Sequence, residues 1–317
     1  MSRTVRFLKD WTLPLSMVTG VVCYFVYVSI PALDHTHHVV SDIVDILQPS
    51  LIFCMLFLSF CKVSPHDLKP RLFQLELVAI QVGGFLFFAL PVILFPDMPG
   101  RILMESAMIC LICPTGTAAV VLVSKLGGNV SYTISYTCLI NIIVAIVFPA
   151  IISVMHTNSN GADLATSFFL IMGKVSPLLV FPLLTALIVK HLFPDLHLWL
   201  RSKAGAAFSL WAVSLSLCIA ITTKAIMHSD EGGMTFMGIG LVSAACCIVQ
   251  FWAGHRIGSR HDGRISCGQC LGQKNTAFAI WLAYTFMNPA TAIAGGFYVI
   301  WHNTFNTIQL YQSQHKS

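Results

Sequence analysis

Charged residues are scarce in this chain. Asp, Glu, Lys and Arg together make up 10% of the 317 residues, whereas 56% of the residues are hydrophobic. The mean hydropathy is +0.79. An ordinary globular domain carries about 25% charged residues, and the polar stretches here are too short to hold a soluble catalytic domain of about 100 residues. The composition therefore predicts a polytopic membrane protein.

Signatures of enzymes and of nucleic-acid-binding proteins are also absent. The chain has no HExxH, no GxSxG and no paired aspartates inside an apolar segment. Its net charge of +5 comes from short clusters of Lys and Arg, not from a continuous basic face, so nucleic acid is not an expected partner. The 11 cysteines lie mostly in apolar segments, where they act as small hydrophobic residues. We expect no enzymatic activity and no cofactor.

Ten segments are long and apolar enough to cross a bilayer as helices, which takes about 20 residues each. The predicted spans are 11–31, 43–61, 72–95, 101–125, 130–155, 165–190, 203–227, 234–257, 264–287 and 290–312. All but four of the 18 Lys and Arg residues fall in loops on one side, which predicts that both termini are cytoplasmic. The short loops suit a bacterial inner membrane. We therefore expect an all-α integral membrane protein in contact with lipid.

The ten spans divide into two sets of five with opposite orientation, residues 1–160 and 161–317. This parity is typical of an inverted-topology repeat. The fourth span of each set is interrupted near its middle, by CPTGTAAV at 113–120 and by CLGQKNTA at 270–277. Broken helices at matching positions point to the central binding site of a transporter. Because each half-helix that follows a break presents free N–H groups and the positive end of its dipole, an anion is the favoured ligand.

Four stretches combine polar and apolar residues in a distinctive way. They are IFCMLFLSFCKVSPHDLKP at 52–70, CPTGTAAVVLVSKLGGNVSYTIS at 113–135, GQKNTAFAIWLA at 272–283 and FYVIWHNTFN at 297–306. Together they resemble the bile acid:sodium symporter family, whose patterns are close to Cys-Pro-Gly-Gly-Thr-Ala-Ser-Asn, Glu-Val-Gly-Met-Gln-Asn and Trp-His-Asn. The resemblance extends along nearly the whole chain.

The resemblance implies a fold and a binding site. Members have ten helices in two inverted repeats, with a core domain of spans 3–5 and 8–10 and a panel domain of spans 1, 2, 6 and 7. Broken spans 4 and 9 cross, and an organic anion binds at the crossing, facing the gap between the domains. The matching substrate-binding positions are Thr115, Gly116, Thr117, Ala118, Asn275, Thr276, His302 and Asn303.

At the positions that match the family's sodium sites, several residues of this chain differ from the family pattern in the groups they could offer to a cation. These positions are Lys274, Gln273, Cys270, Leu271, Gln81, Ala119, Val120, Thr133 and Thr137. Where the family has Ser and Asn in span 4, this chain has Ala119 and Val120. Where the family has Glu and Gln in span 9, it has Cys270 and Lys274. Because a hard cation requires oxygen ligands, we expect ordinary sodium coupling to be lost or severely weakened.

Some cation-site positions keep an oxygen where a ligand is expected. Thr133, Thr137 and Gln81 are in this group. A conventional sodium symporter with a degenerate site, built from backbone carbonyls and the two threonines, is therefore an alternative. A membrane receptor that binds the same ligand without transporting it is a second alternative, since lost ion sites could mean lost turnover.

Lys274 lies within span 9 and is open to three functional interpretations, beside the structural one that its side chain only reaches toward the membrane interface. As a built-in cation it would replace bound sodium and make transport independent of sodium. As a titrating group it would couple transport to protons, and as a direct ligand it would pair with an anionic substrate. The leading hypothesis is a secondary transporter of a bile-acid-like anion or a small carboxylate or sulfonate, working by alternating access. Glu76 and Glu105 lie about one helical turn from the start of their spans and are expected to reach water or lipid headgroups.

Overall fold

Long apolar segments become helices because hydrocarbon offers no partner to a backbone N–H or C=O group, and a helix bonds these groups internally. A computed structural model describes residues 12–63, 69–160, 163–203 and 206–315, and within them the regular structure is entirely helical. The helices are α1 Thr12–Val28, α2 His37–Phe60, α3 Gln74–Leu94, α4 Arg101–Ile112, α5 Ala118–Lys125, α6 Val130–Asn160, α7 Leu164–Leu179, α8 Phe181–Leu192, α9 Pro194–Lys203, α10 Ala206–Met227, α11 Gly233–Gly258, α12 Arg264–Gly272, α13 Thr276–Phe286 and α14 Ala292–Gln314. Short 3₁₀ helices occur at Pro31–Thr36 and Pro289–Thr291.

Five of these helices, α2, α3, α6, α10 and α11, are long and apolar enough to cross a membrane. The pair α7 and α8 forms a sixth candidate span, bent by 45° at a break before Pro182, which has no N–H group to continue the helical ladder. These helices identify an integral membrane protein. The prediction of ten spans in two inverted repeats stays a prediction, and residues 1–11, on which the orientation of the N-terminus depends, lie outside the described residues.

The helices pack in a pattern that places the two interrupted segments near the centre. Helix α11 packs on α4, α12 and α14, and α3 packs on α4. Helix α10 packs on α1 and α2, and α2 also contacts α8. The division into a core and a panel domain stays a prediction. The contacts of α4, α12 and α13 are what position the site.

Glu105, in the second turn of α4, does not reach water as expected. It is 2% exposed and accepts a hydrogen bond from Arg101 Nε at 2.7 Å. Its second oxygen accepts from Thr291 Oγ1 at 3.1 Å, in the turn that precedes α14. The expectation was wrong because it considered only how near Glu105 is to the start of its span. The turn that contains Thr291 covers the carboxylate.

The contact between α11 and α12 depends on small residues. A Cβ on Gly254 would overlap the carbonyl oxygen of Cys267, and a Cβ on Gly258 would lie 2.5 Å from the carbonyl oxygen of Gly263. Glycines four residues apart let two helices approach at the distance of their backbones. This close approach fixes α12 against α11 immediately before the chain breaks at Gln273.

Gly254→Ala is expected to lower the free energy of unfolding by about 1–3 kcal/mol, because the added methyl group would force α12 away from α11. Gly83→Ala is the matched control, since a Cβ there meets nothing within 4 Å. The control should leave stability unchanged or raise it by up to about 1 kcal/mol. Unfolding in detergent micelles measures both, and equal stabilities would contradict the close contact.

Candidate functional site

The two interrupted segments meet at their non-helical residues. Gly116 N donates to Gln273 O at 2.8 Å, and Asn275 N donates to Pro114 O at 2.9 Å. These bonds form a single antiparallel bridge between Thr115 and Lys274. The end of α4, the start of α5, the end of α12 and the start of α13 are therefore held together at one place.

Gly116 is the residue that allows this approach. A Cβ at this position would lie 2.7 Å from Lys274 O and 2.9 Å from the carbonyl carbon of the same residue. These distances are well inside van der Waals contact, so a larger side chain would separate the two segments. Pro114 contributes by ending α4, because it has no N–H group to donate back to Cys110 O.

A glutamine–tyrosine pair bonds the last carbonyl groups of α4. Gln81 Nε2, from α3, lies 3.0 Å from both Ile112 O and Cys113 O. Tyr136 OH donates to Gln81 Oε1 at 2.9 Å and fixes the orientation of this amide. The terminal carbonyls of a helix have no partner within the helix, so Gln81 supplies two hydrogen bonds that the break removes.

A second glutamine–tyrosine pair bonds both breaks. Gln250 Nε2, from α11, donates to Cys110 O at 3.1 Å and lies 3.0 Å from Tyr298 OH. Tyr298 OH in turn donates to Gly272 O at 3.0 Å, at the end of α12. The pair thus connects the carbonyl ends of the two interrupted segments.

Lys274 supplies the remaining donor at the end of α4. Its side chain is 2% exposed, and Nζ donates to Leu111 O at 3.1 Å. A cation is favoured at the carbonyl end of a helix, where the dipole is negative. The described residues contain no salt bridge to Lys274.

A cavity of about 430 Å³ lies against the crossing. Among the predicted substrate-binding positions, those that line it are Gly116, Thr117, Ala118, Asn275, Thr276, His302 and Asn303. Among the predicted cation positions, those that line it are Gln273, Lys274, Val120 and Thr137. The structure therefore brings most of the predicted site residues to one place, while their roles stay predictions.

The other predicted positions lie outside the cavity lining. They are Thr115, Ala119, Cys270, Leu271, Gln81 and Thr133. Thr115 is fully buried and its hydroxyl donates to Cys270 O at 2.7 Å, which ties the break in one segment to α12. Thr115 therefore stabilises the crossing without lining the cavity.

The thiols of Cys267 and Cys270 belong to no group of three or more metal-ligating side chains among the described residues.

Two buried polar groups at the cavity have no hydrogen-bond partner among the described residues. They are Nδ2 of Asn275 and Nδ1 of His302. Asn275 uses its Oδ1 to accept from Phe278 N at 3.3 Å and so caps the start of α13. A buried donor without a partner costs about 1–3 kcal/mol, so the amide of Asn275 is left with a hydrogen bond to make.

Residues that were not among the predicted site positions also contribute. Met55, Phe60 and Trp211 line the cavity from α2 and α10. Gln250 and Tyr298 hold the crossing. A signal for Gln250 was present, since a polar side chain inside an apolar span is a candidate for function, but its partners are evident only from the packed structure.

Residues 17–311 match the SBF-like CPA transporter family. The chain belongs to this family. The match covers nearly the whole chain and confirms the resemblance to bile acid:sodium symporters at the family level. Because the SBF-like CPA family is a family of transporters, the expectation of a non-enzymatic membrane transporter is also confirmed. None of the curated proteins matches the chain.

Gly116→Ala is expected to loosen the crossing, because the added Cβ would press on Lys274 O and overpacking of this kind costs about 1–3 kcal/mol. Hydrogen–deuterium exchange of peptides that cover residues 111–120 and 270–278 should accelerate about tenfold or more. Gly173→Ala, where a Cβ meets nothing within 4 Å, is the control and should exchange like the parent. Unchanged exchange in Gly116→Ala would contradict the contact.

Proposed function

We propose that this SBF-like CPA transporter carries an organic anion through the membrane, with the cavity at the crossing as its binding site. The observation that carries the proposal is the charge of the cavity. The described residues that line it include the basic residues Lys62 and Lys274 and no Asp or Glu. The unpartnered amide nitrogen of Asn275 and the starts of α5 and α13 add to the preference for an anion.

The size and lining of the cavity support an amphipathic substrate. A volume of about 430 Å³ suits a small organic molecule. Phe60, Trp211 and several aliphatic side chains give the cavity an apolar lining, in addition to the hydrogen-bond donors at the crossing. A bile-acid-like anion or a small carboxylate or sulfonate combines an apolar body with one anionic group, and we propose this class as the substrate.

We propose that Lys274 replaces a bound cation and that transport does not require sodium. Its ammonium is bonded to Leu111 O, a carbonyl group at the negative end of α4. The side chains at Ala119, Val120 and Cys270 provide no oxygen ligand. These residues do not fit a sodium site, because dehydration of sodium has to be offset by oxygen ligands and negative charge.

We propose that transport proceeds by alternating access between a core domain, which contains the crossing, and a panel domain that includes α2 and α10. The cavity is lined from both groups of helices, by Gln273 and His302 on one side and by Met55 and Trp211 on the other. Relative movement of the two groups would open the cavity to one side of the membrane and then to the other. No chemical change of the substrate is involved.

Counterflow in proteoliposomes tests this function with cholate, taurocholate and benzoate as probes. The parent should exchange at least one of these anions equally well with and without sodium. Lys274→Gln should lower the rate about tenfold, because Leu111 O loses its charged donor and a buried carbonyl without a partner costs about 1–3 kcal/mol. Adding Cys270→Glu to Lys274→Gln should restore part of the rate in the presence of sodium.

Each contrary outcome has a distinct meaning. Stimulation of the parent by sodium would identify a conventional symporter with a degenerate ion site. Stimulation by a proton gradient that is abolished in Lys274→Gln would assign a titrating role to this lysine. Binding of an anion without exchange would identify a receptor.

Asn275→Asp is expected to lower the affinity for the transported anion at least tenfold, because it replaces the Nδ2 donor by a negative oxygen. The remaining carboxylate oxygen still accepts from Phe278 N, so the cap of α13 is retained. Asn129→Asp is the matched control, since Asn129 Oδ1 accepts from Tyr132 N outside the cavity. The half-saturation concentration in counterflow measures both variants. Equal losses in both variants would rule out a direct role of Asn275.

A further inference from the structure

Gln273 is a predicted cation-site position, but its hydrogen bonds point to a different use. The residue lines the cavity and is 4% exposed. Its Oε1 accepts from Asn306 Nδ2 at 2.6 Å. Nε2 makes no hydrogen bond to any described residue. The polar group that Gln273 has available at the cavity is therefore an N–H donor, which suits an anion and cannot coordinate a metal cation.

The orientation of this amide is part of a longer chain of hydrogen bonds. Asn306 Oδ1 accepts from Gln269 Nε2 at 2.9 Å, and the same nitrogen donates to Gln309 Oε1 at 2.8 Å. Gln309 Nε2 lies 3.0 Å from Nε2 of His255. An amide nitrogen can only donate, so in this arrangement the ring nitrogen is the acceptor, as it is in the neutral imidazole that carries its hydrogen on Nδ1.

The chain has one consistent polarity. The nitrogens of Asn306, Gln269 and Gln309 each face an acceptor, so turning over one of these amides alone would place two donors or two acceptors face to face. The oxygen of Gln269 is buried without a partner. Gln269 is fully buried and Asn306 is 4% exposed, so water has little access to repair such a mismatch. With Nε2 of His255 as the acceptor at the end of the chain, the amide of Gln273 has its oxygen toward Asn306 and its nitrogen available to the cavity.

We propose that Gln273 donates a hydrogen bond from Nε2 to the anionic group of the substrate, and that Asn306 is the positioning residue that fixes this polarity. This inference rests on the proposed function, since it requires an anion in the cavity. It assigns to Gln273 a role in substrate selection instead of cation binding. Gln273 and Asn275 would then present two amide donors from the same break.

Gln273→Glu tests the donor directly. The glutamate has the same shape, and one of its oxygens can still accept from Asn306 Nδ2, while the other replaces the donor by an acceptor. The probe is whichever of cholate, taurocholate and benzoate the parent transports. We expect its half-saturation concentration to rise at least tenfold, since the loss of a hydrogen bond to a charged group lowers affinity by about this factor or more. The maximal rate should change less than the half-saturation concentration.

Asn306→Asp tests the positioning role without altering a group that contacts the substrate. A carboxylate can only accept, so Gln273 would have to turn over, give Nε2 to the aspartate and present Oε1 to the cavity. We expect the half-saturation concentration to rise about tenfold. Asn306→Leu removes the hydrogen bond that orients Gln273 but does not favour the reversed amide. It should therefore raise the half-saturation concentration less than Asn306→Asp does.

A double-mutant cycle separates this role from a purely structural one. In a Gln273→Met background there is no amide to turn over, so Asn306→Asp should produce little further change in the half-saturation concentration. Additive losses from the two substitutions would overturn the positioning role. If the parent exchanges a probe anion but Gln273→Glu retains its affinity, this inference fails and the proposed function stands. If the parent binds and exchanges none of the probes, both fail.

Discussion

A helix that stops within an apolar layer leaves carbonyl groups without partners, and each of them has to be bonded by another part of the chain. At the end of α4 this requirement is met by Gln81, Gln250 and Lys274, which come from three different places in the sequence. At the end of α12 it is met by Tyr298 and by the break in the other segment. Neither interrupted segment can satisfy its backbone alone, so the crossing is a joint structure. The cavity and its donors follow from the same requirement.

Much of the site could be predicted because its signals are local. Pro114 interrupts an apolar helix wherever it occurs, and a lysine such as Lys274 within an apolar segment is conspicuous in any sequence. The segment pattern and the short motifs were sufficient to name most residues that line the cavity. The hydrogen-bonded chain behind Gln273 could not be predicted, because Asn306 and Gln309 belong to a different helix and their partners depend on how α14 lies against α12. Glu105 was misjudged for the same reason, since a distant turn covers it.

The hydrophobic pattern of the sequence and the lengths of the continuous helices give different numbers of membrane spans. A hydrophobic segment keeps its apolar character across a break, so α4 with α5 and α12 with α13 each count as one span in the sequence. Continuous helix length does not bridge a break, and α4 and α12 are each too short to cross a bilayer alone. Two of the predicted spans that helix length does not identify are these interrupted segments, which also line the cavity, and two others correspond to the unbroken helices α1 and α14.

The ammonium of Lys274 is joined to the backbone by covalent bonds, and this has a thermodynamic consequence. An ion that binds on one side of a membrane and leaves on the other brings with it the energy of its own gradient. A charge that belongs to the polypeptide cannot be delivered to either compartment, so it stabilises the crossing without doing work on the solute. Under the proposed role of this residue, the protein would speed the approach of its substrate to equal electrochemical potential on both sides, and would not drive it further.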